Sequence, residues 1–479
     1  MLRESKAVEE TAEAVIPDAC PDASEILYTG GRAFPRGRDL GEGTASVSAG
    51  VSAAVLVRVE GRDSPEIVEA YMPISVRLED GAIRPGLESS LEVTLRRLDS
   101  QLVNPRKVMI RATVSVTLRV YEPCRERHAS GDPTGTVELL LATEPVKVLT
   151  AMGEKTYSLE DTLRLSPEGT GLRVADCRME VSHTEQRLTG TRAILKGDVN
   201  LNLLYLDEDG KLRTGQARLP FSQYIDLGDC AEDDELILQS LVTGADVDFL
   251  SDGGLGVTLQ MLSRAEVWSR REIRYVQDLY ALNGQAAPAF GDTSYESLLD
   301  TQLFSAVGRG SLPDAGENVC FTACVPGELS HARNGETVEF TLPVSVQVLW
   351  QTEGGLMGGR VRVNLTCATR AASKCRFEAR AEDLTATAEP GAEGLNVKVT
   401  GNLRLRTWGA AELREITGCE VSEAAGSRDR PGLIIRRPGR QEKLWDIAKQ
   451  YRTTREAIQA ANGISGEPEP GTLLLIPGR

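Results

Sequence analysis

Three stretches of the chain alternate apolar and polar residues with a period of two. The first carries Val47, Val51, Val55, Val57 and Val59. The second sets Leu195, Val199, Leu201, Leu203 and Tyr205 against Lys196, Asp198, Asn200 and Asn202. The third runs through Val338, Phe340, Leu342, Val344, Val346, Val348 and Trp350. Successive side chains of a strand point to opposite faces, so each stretch predicts a half-buried β-strand. The strand ends Val59, Tyr205 and Trp350 stand 146 and 145 residues apart. Other anchors keep that step. Gly43, Gly190 and Gly335 precede the strands at spacings of 147 and 145. Pro73-Ile74-Ser75 returns as Pro220-Phe221-Ser222, and Tyr121, Trp268 and Trp408 each close a later β-like run. Agreement at independent anchors predicts homologous repeats.

The expected fold class is therefore mainly β: three tandem antiparallel β-sandwich or open-barrel repeats at 1–122, 137–276 and 293–421, each of roughly six to eight strands. Asp207-Glu208-Asp209-Gly210, Asn334-Gly335 and Asp252-Gly253-Gly254 supply turns, since Gly and Asn tolerate positive φ. Segments 122–137 and 283–293 read as loops between repeats, and 422–431 as a final linker.

After Pro431 the period changes. A short strand (Leu433-Ile434-Ile435) leads to a helix with Leu444, Ile447, Ala448 and Tyr451 on one face. Thr453-x-x-Glu456 predicts a capping box for a second helix, which Asn462-Gly463 ends. Leu473-Leu474-Leu475-Ile476 is a closing strand, so 432–479 is a compact βααβ unit.

Composition narrows the function. The longest run without a charge, Gly43 to Val57, is too short and too polar for a membrane-spanning helix. The N-terminus, Met1-Leu2-Arg3-Glu4-Ser5-Lys6, lacks the apolar core of a classical secretory signal. A net charge of −16 with only 5% aromatics argues against nucleic-acid binding. The charge is uneven: residues 431–479 hold eight Lys/Arg against five Asp/Glu, net +3, which leaves −19 on 1–430. The 9 cysteines are sparse and odd in number, as expected of a reducing compartment. Cys320-x3-Cys324, with His331, Cys367 and Cys375 beyond, is the sharpest metal candidate. On a strand, residues four apart share a face, so both could point inward, yet Cys367-x7-Cys375 is not a tight ligand pair, and buried free thiols are the better reading. No nucleophile elbow is present, and Gly354-Gly355-Leu356-Met357-Gly358-Gly359-Arg360 lacks the Lys-Ser/Thr of a phosphate loop. His128 falls in a charged loop, and His183 and His331 in expected turns before the long strands, exposed rather than catalytic. The sequence predicts no enzyme, no metal and no cofactor.

The C-terminal unit resembles a LysM domain, on Leu444-Trp445-Asp446-Ile447-Ala448-Lys449-Gln450-Tyr451, Thr453-Thr454, Ile458, Asn462, and Gly471-Thr472-Leu473 through Ile476-Pro477. The resemblance implies a glycan groove between the loop before the first helix and the loop after the second. Here the usual Gly-Asp-Thr/Ser of the first loop is replaced by the longer Gly439-Arg440-Gln441-Glu442-Lys443. Trp445 reads as a core residue. The whole chain resembles the SPOCS-domain spore-coat morphogenetic proteins, on the repeats, Pro21-Asp22-Ala23-Ser24-Glu25-Ile26-Leu27, Asn104-Pro105-Arg106-Lys107-Val108, and Leu219-Pro220-Phe221-Ser222-Gln223-Tyr224-Ile225, followed by one LysM unit. That implies a mother-cell cytoplasmic protein at the forespore surface, with the coat-scaffold ATPase as partner.

Two functions follow: a sporulation adaptor docking onto protein, and a peptidoglycan (N-acetylglucosamine) binder. The charged loop and the missing secretory signal favour the adaptor. The expected binding residues are Arg440, Gln441, Glu442, Lys443, Asn462, Gly463 and Ile464, the cations setting on-rate and Ile464 supplying apolar contact.

Overall fold

The computed structural model describes residues 2–123, 136–165, 171, 173–372, 374–422, 432–439, 442–469 and 471–478. Strands β1 (Leu2–Val15), β2 (Ala23–Leu40), β3 (Thr44–Val59), β4 (Glu66–Glu79), β5 (Glu88–Asn104) and β6 (Lys107–Tyr121) build two sheets, ordered β2-β3-β4 and β1-β6-β5. The plan recurs in β7 (Val137–Leu163), β8 (Arg173–Thr189), β9 (Arg192–Leu206), β10 (Leu212–Asp226), β11 (Glu235–Phe249) and β12 (Leu255–Ala281), as β8-β9-β10 and β7-β12-β11. It recurs again in β13 (Gln285–Pro313), β14 (Asn318–Pro326), β15 (Ser330–Asn334), β16 (Thr337–Thr352), β17 (Gly355–Arg370), β18 (Arg376–Gly391) and β19 (Gly394–Ser422). There β14 and β15 share one edge of β16, β17 takes the other, and β13-β19-β18 is the facing sheet. Each time the first strand and the penultimate strand flank the last, and the strands between the first and the penultimate form the opposite sheet. The fold is mainly β, as the alternation predicts.

Each sheet pair closes on one apolar core. Val51, Val55 and Val57 of β3 meet Val114, Val116 and Leu118 of β6. Val199, Leu201 and Leu203 of β9 meet Val257, Leu259 and Met261 of β12. Val344, Val346 and Val348 of β16 meet Val397, Val399 and Leu403 of β19. Burying such a side chain stabilises by about 1.5–3 kcal/mol. Gly43, Gly190 and Gly335 turn the chain into β3, β9 and β16 at φ 69°, 61° and 61°, the left-handed region that costs glycine nothing.

The burial pattern corrects one anchor. Ala45, Ala193 and Val338 are the first fully buried residues of the central strands, and Val57, Tyr205 and Trp350 follow at one common interval. Val57 rather than Val59 therefore corresponds to Tyr205, because β3 keeps alternating beyond the point where β9 ends. Trp268 and Trp408 also lie inside strands, since β12 and β19 run on to Ala281 and Ser422.

Among the described residues, contacts between the three sheet pairs include two junctions. In the first, Leu56, Leu204 and Leu349 point away from their own cores and pack together with Leu27, Ala175 and Ala323. Polar contacts rim it from pair to pair: Arg32 Nη1 donates to Cys177 O (3.0 Å), Arg178 to Cys324 O, and Gln347 Nε2 to Thr29 O (2.6 Å). The second junction is ionic. Arg119 of β6 reaches Glu378 of β18 and Glu92 (3.3 Å). Arg264 of β12 and Arg38 of β2 share Glu154, at 2.6 and 2.7 Å. Tyr121 donates to Glu266 at 3.3 Å, with Arg406 3.9 Å from the same carboxylate. Burial lowers the pKa of Arg119, but Glu378 and Glu92 outweigh it and raise the value. Burial likewise raises Glu92, while Arg119 and Arg380 hold it below the ordinary carboxylate range. Elsewhere between the second and third pairs, the Glu180 carboxyl is pushed up to about 7, first by burial and then by its hydrogen bond to Asp383.

Residues 1–123, 149–269 and 298–409 make up one compact unit, to which both junctions belong. Residues 124–148, 270–297 and 410–479 make up another. The expected loop at 283–293 is instead a hairpin: β12 ends at Ala281 and β13 starts at Gln285. Alternation continues through both strands, and Gly284 (φ 94°) makes the turn. Segment 122–137 and linker 422–431 lie, but for their ends, outside the described residues.

Candidate functional site

In the second unit the C-terminal module runs β20 (Leu433–Arg436), α1 (Leu444–Tyr451), α2 (Arg455–Asn462) and β21 (Leu474–Pro477). Leu444, Ile447 and Ala448 turn inward against Ile458 and Ile476, as the helical spacing requires. The second helix is capped by Thr454, whose Oγ1 accepts from Ala457 N at 3.0 Å. The expected cap, Thr453, is one residue too early: its N–H closes α1 on Ala448 O, and its side chain is buried. Gly463 ends α2 at φ 65°, as expected.

The loops before α1 and after α2 are tied together. Leu444 N donates to Glu467 Oε2 at 2.6 Å, placing a carboxylate at the N-terminus of α1, where the helix dipole favours it. Of the expected binding residues, Arg440 and Gln441 lie outside the described residues. Glu442 is engaged inside the module, accepting from Arg436 Nη2 at 2.5 Å and Gly439 N at 3.1 Å. Asn462 is also a brace: its Nδ2 donates to Ile458 O (2.7 Å) and Leu475 O (2.6 Å), and its Oδ1 accepts from Leu475 N (2.7 Å). Lys443, in extended backbone ahead of α1, and Gly463 are exposed, while Ile464 is half-buried against the module core. Glu467 was missed by sequence reasoning; its position between Gly466 and Pro468 reads only as a loop.

Trp445 is buried, though not wholly within its own module. Its ring meets Tyr280 edge-on at 4.8 Å, and its Nε1 donates to Asp278 Oδ2 at 2.8 Å. Lys449 Nζ reaches both oxygens of Asp278 at 2.7 Å, and Tyr280 Oη donates to Thr453 O at 2.7 Å. Tyr280 and Leu282 thus join the cluster of Leu444, Trp445 and Ile447. Burial raises the Asp278 carboxyl, but hydrogen bonds from Lys449 and Trp445 outweigh it and hold it below the usual range. Sequence reasoning missed this contact, although Leu279-Tyr280-Ala281-Leu282 is an apolar run at a hairpin tip, where solvent exposure is ordinarily greatest.

The other candidates are dispersed. His183 sits in β8 rather than a turn, half-buried, with Nε2 2.9 Å from Ser240 Oγ. His331 lies on β15, exposed and leaning on Phe340 and Phe377. His128 and Cys124 lie outside the described residues. Cys320 and Cys324 do not share a face: a bulge between Val319 and Phe321 sends Cys320 to the leucine junction, while Cys324 stays in the sandwich core.

Residues 172–250, which span β8 to β11, match the SipL, SPOCS domain family, and residues 442–477 match the LysM domain family. No curated protein and no solved structure matches the chain. The pair of matches supports the expected architecture and fits a sporulation protein with a peptidoglycan-binding type of module. Both are non-catalytic families. Among the described residues, no helix is long and apolar enough to cross a membrane.

Proposed function

We propose that the chain is a non-enzymatic adaptor of sporulation, joining the coat scaffold to the forespore surface from the mother-cell cytoplasm. The observation that carries this reading is the presence of SPOCS and LysM matches in one chain. The three sheet pairs are read as three copies of one domain, the first and third diverged from the matched second. The partner is read as the ATPase of the coat basement layer, held at Lys443 and Ile464. A cation-bearing loop suits an acidic protein face better than a neutral sugar chain.

The second reading, binding of peptidoglycan glycan, is favoured by the LysM match itself and by the bridged loop pair. One experiment separates them: the purified chain is offered immobilised scaffold ATPase and, separately, insoluble peptidoglycan. Retention on the ATPase, weakened by Ile464→Ala at any salt and by Lys443→Glu chiefly at low salt, supports the adaptor. Sedimentation with peptidoglycan that chitin oligomers compete away, without retention on the ATPase, supports the glycan binder.

A further inference from the structure

A terminal module reached through a linker is ordinarily free to turn, yet this one shares a core with the hairpin between β12 and β13. The contact is chemically specific. Asp278 accepts from Trp445 Nε1 (2.8 Å) and Lys449 Nζ (2.7 Å), two side chains one turn apart on α1. Tyr280 Oη holds the Thr453 carbonyl (2.7 Å), where the chain leaves α1 for α2. Leu140 of β7 and Leu282 add apolar cover. At its other end, α1 begins with Leu444, whose N–H binds Glu467 across the loop pair (2.6 Å). A helix is a stiff rod, so what fixes one part of it fixes its N-terminus.

We infer that Asp278 is a positioning residue for the module's loop pair: the hairpin tip clamps α1, and α1 carries that constraint to the Leu444–Glu467 bridge. The module's exposed loop residues are then presented in a fixed geometry, and Trp445 is withheld from any ligand. The function of this clamp rests on the reading of the loops as the binding surface, but the coupling itself needs no ligand to measure.

The test uses the full chain and backbone amide exchange in four segments: 276–282, 444–451, 463–469 and 474–477. Asp278→Asn keeps the shape but loses the charge that Lys449 and Trp445 bind. It should speed exchange about tenfold in the first three segments and leave 474–477 as before, which is local opening rather than unfolding. Lys449→Asp should do the same through charge repulsion, and Asp278→Lys with Lys449→Asp, which renews the ion pair but leaves Trp445 Nε1 without its acceptor, should restore part of the slow exchange in 463–469. The inference is overturned if exchange rises only in 276–282, if Asp278→Asn also exposes 474–477, or if the swapped pair restores none of it. Scaffold or glycan retention by the unmodified chain judges the binding reading separately, so either idea can fail alone.

Discussion

The two junctions of the first unit join the same three sheet pairs by opposite means. At one, each central strand contributes an identical residue, Leu56, Leu204 and Leu349. At the other, the corresponding positions two residues before Tyr121, Trp268 and Trp408 hold Arg119, Glu266 and Arg406. Dispersion and burial have no direction, so one leucine serves in all three repeats. An ion pair needs unlike members: Glu266 and Arg406 approach to 3.9 Å, while Arg119 takes its carboxylates from Glu378 and Glu92 at other positions. The leucine junction is alike in all three pairs, whereas the ionic one differs from pair to pair.

The largest effect should come from leaving a charge unpaired. Arg119→Leu removes the ion-pair partner of Glu378, leaves Glu92 with Arg380, and should cost about 3–5 kcal/mol in chemical denaturation. Adding Glu378→Leu should recover part of that loss; a double variant no more stable than the single would contradict the ion-pair account. Next comes Leu204→Ala, which opens a cavity among three repeats and should cost about 2–5 kcal/mol, unchanged between pH 5 and 8. A pH-dependent loss would mean that the leucine junction is coupled to titrating groups. The smallest effect is the titration of Glu180. Its raised pKa means the folded chain holds a proton that the unfolded chain has released, so stability should fall as pH rises from about 4.3 to about 7. One unit of such a shift is about 1.4 kcal/mol in full, and less here because solvent screens a half-buried carboxyl. Glu180→Gln should flatten the slope of unfolding midpoint against pH, and an unchanged slope would assign it to another group.

Sandwich cores were legible because alternation is local: Val51 and Val55, or Val344 and Val346, announce a face without reference to any partner. The junctions left a signal of a different kind. Val55-Leu56-Val57, Leu203-Leu204-Tyr205 and Val348-Leu349-Trp350 break alternation with three apolar residues in a row, which on a strand means that both faces are covered. Leu279 to Leu282 says the same of the hairpin tip. What no local pattern encodes is which distant surface does the covering, so the Asp278–Trp445 contact was invisible. The helices of the module were legible to within a residue, and the misplaced cap arose because Thr453 and Thr454 are adjacent and only backbone geometry chooses between them. The candidate site was only half legible: Asn462 lies in the expected position, but its amide is consumed by Leu475 and Ile458.

The rim contacts of the leucine junction pass from first to second, second to third, and third back to first. That closure sets a copy number. A solenoid presents an open face at each end and tolerates gain or loss of a repeat, whereas a ring has no vacant mating surface. Duplication of such a chain can add a second ring but not a fourth member, and deletion of one repeat leaves two leucine faces wet. Tandem duplication in this lineage would therefore have to proceed in whole multiples of three, a counting rule that lengths of related chains either obey or break.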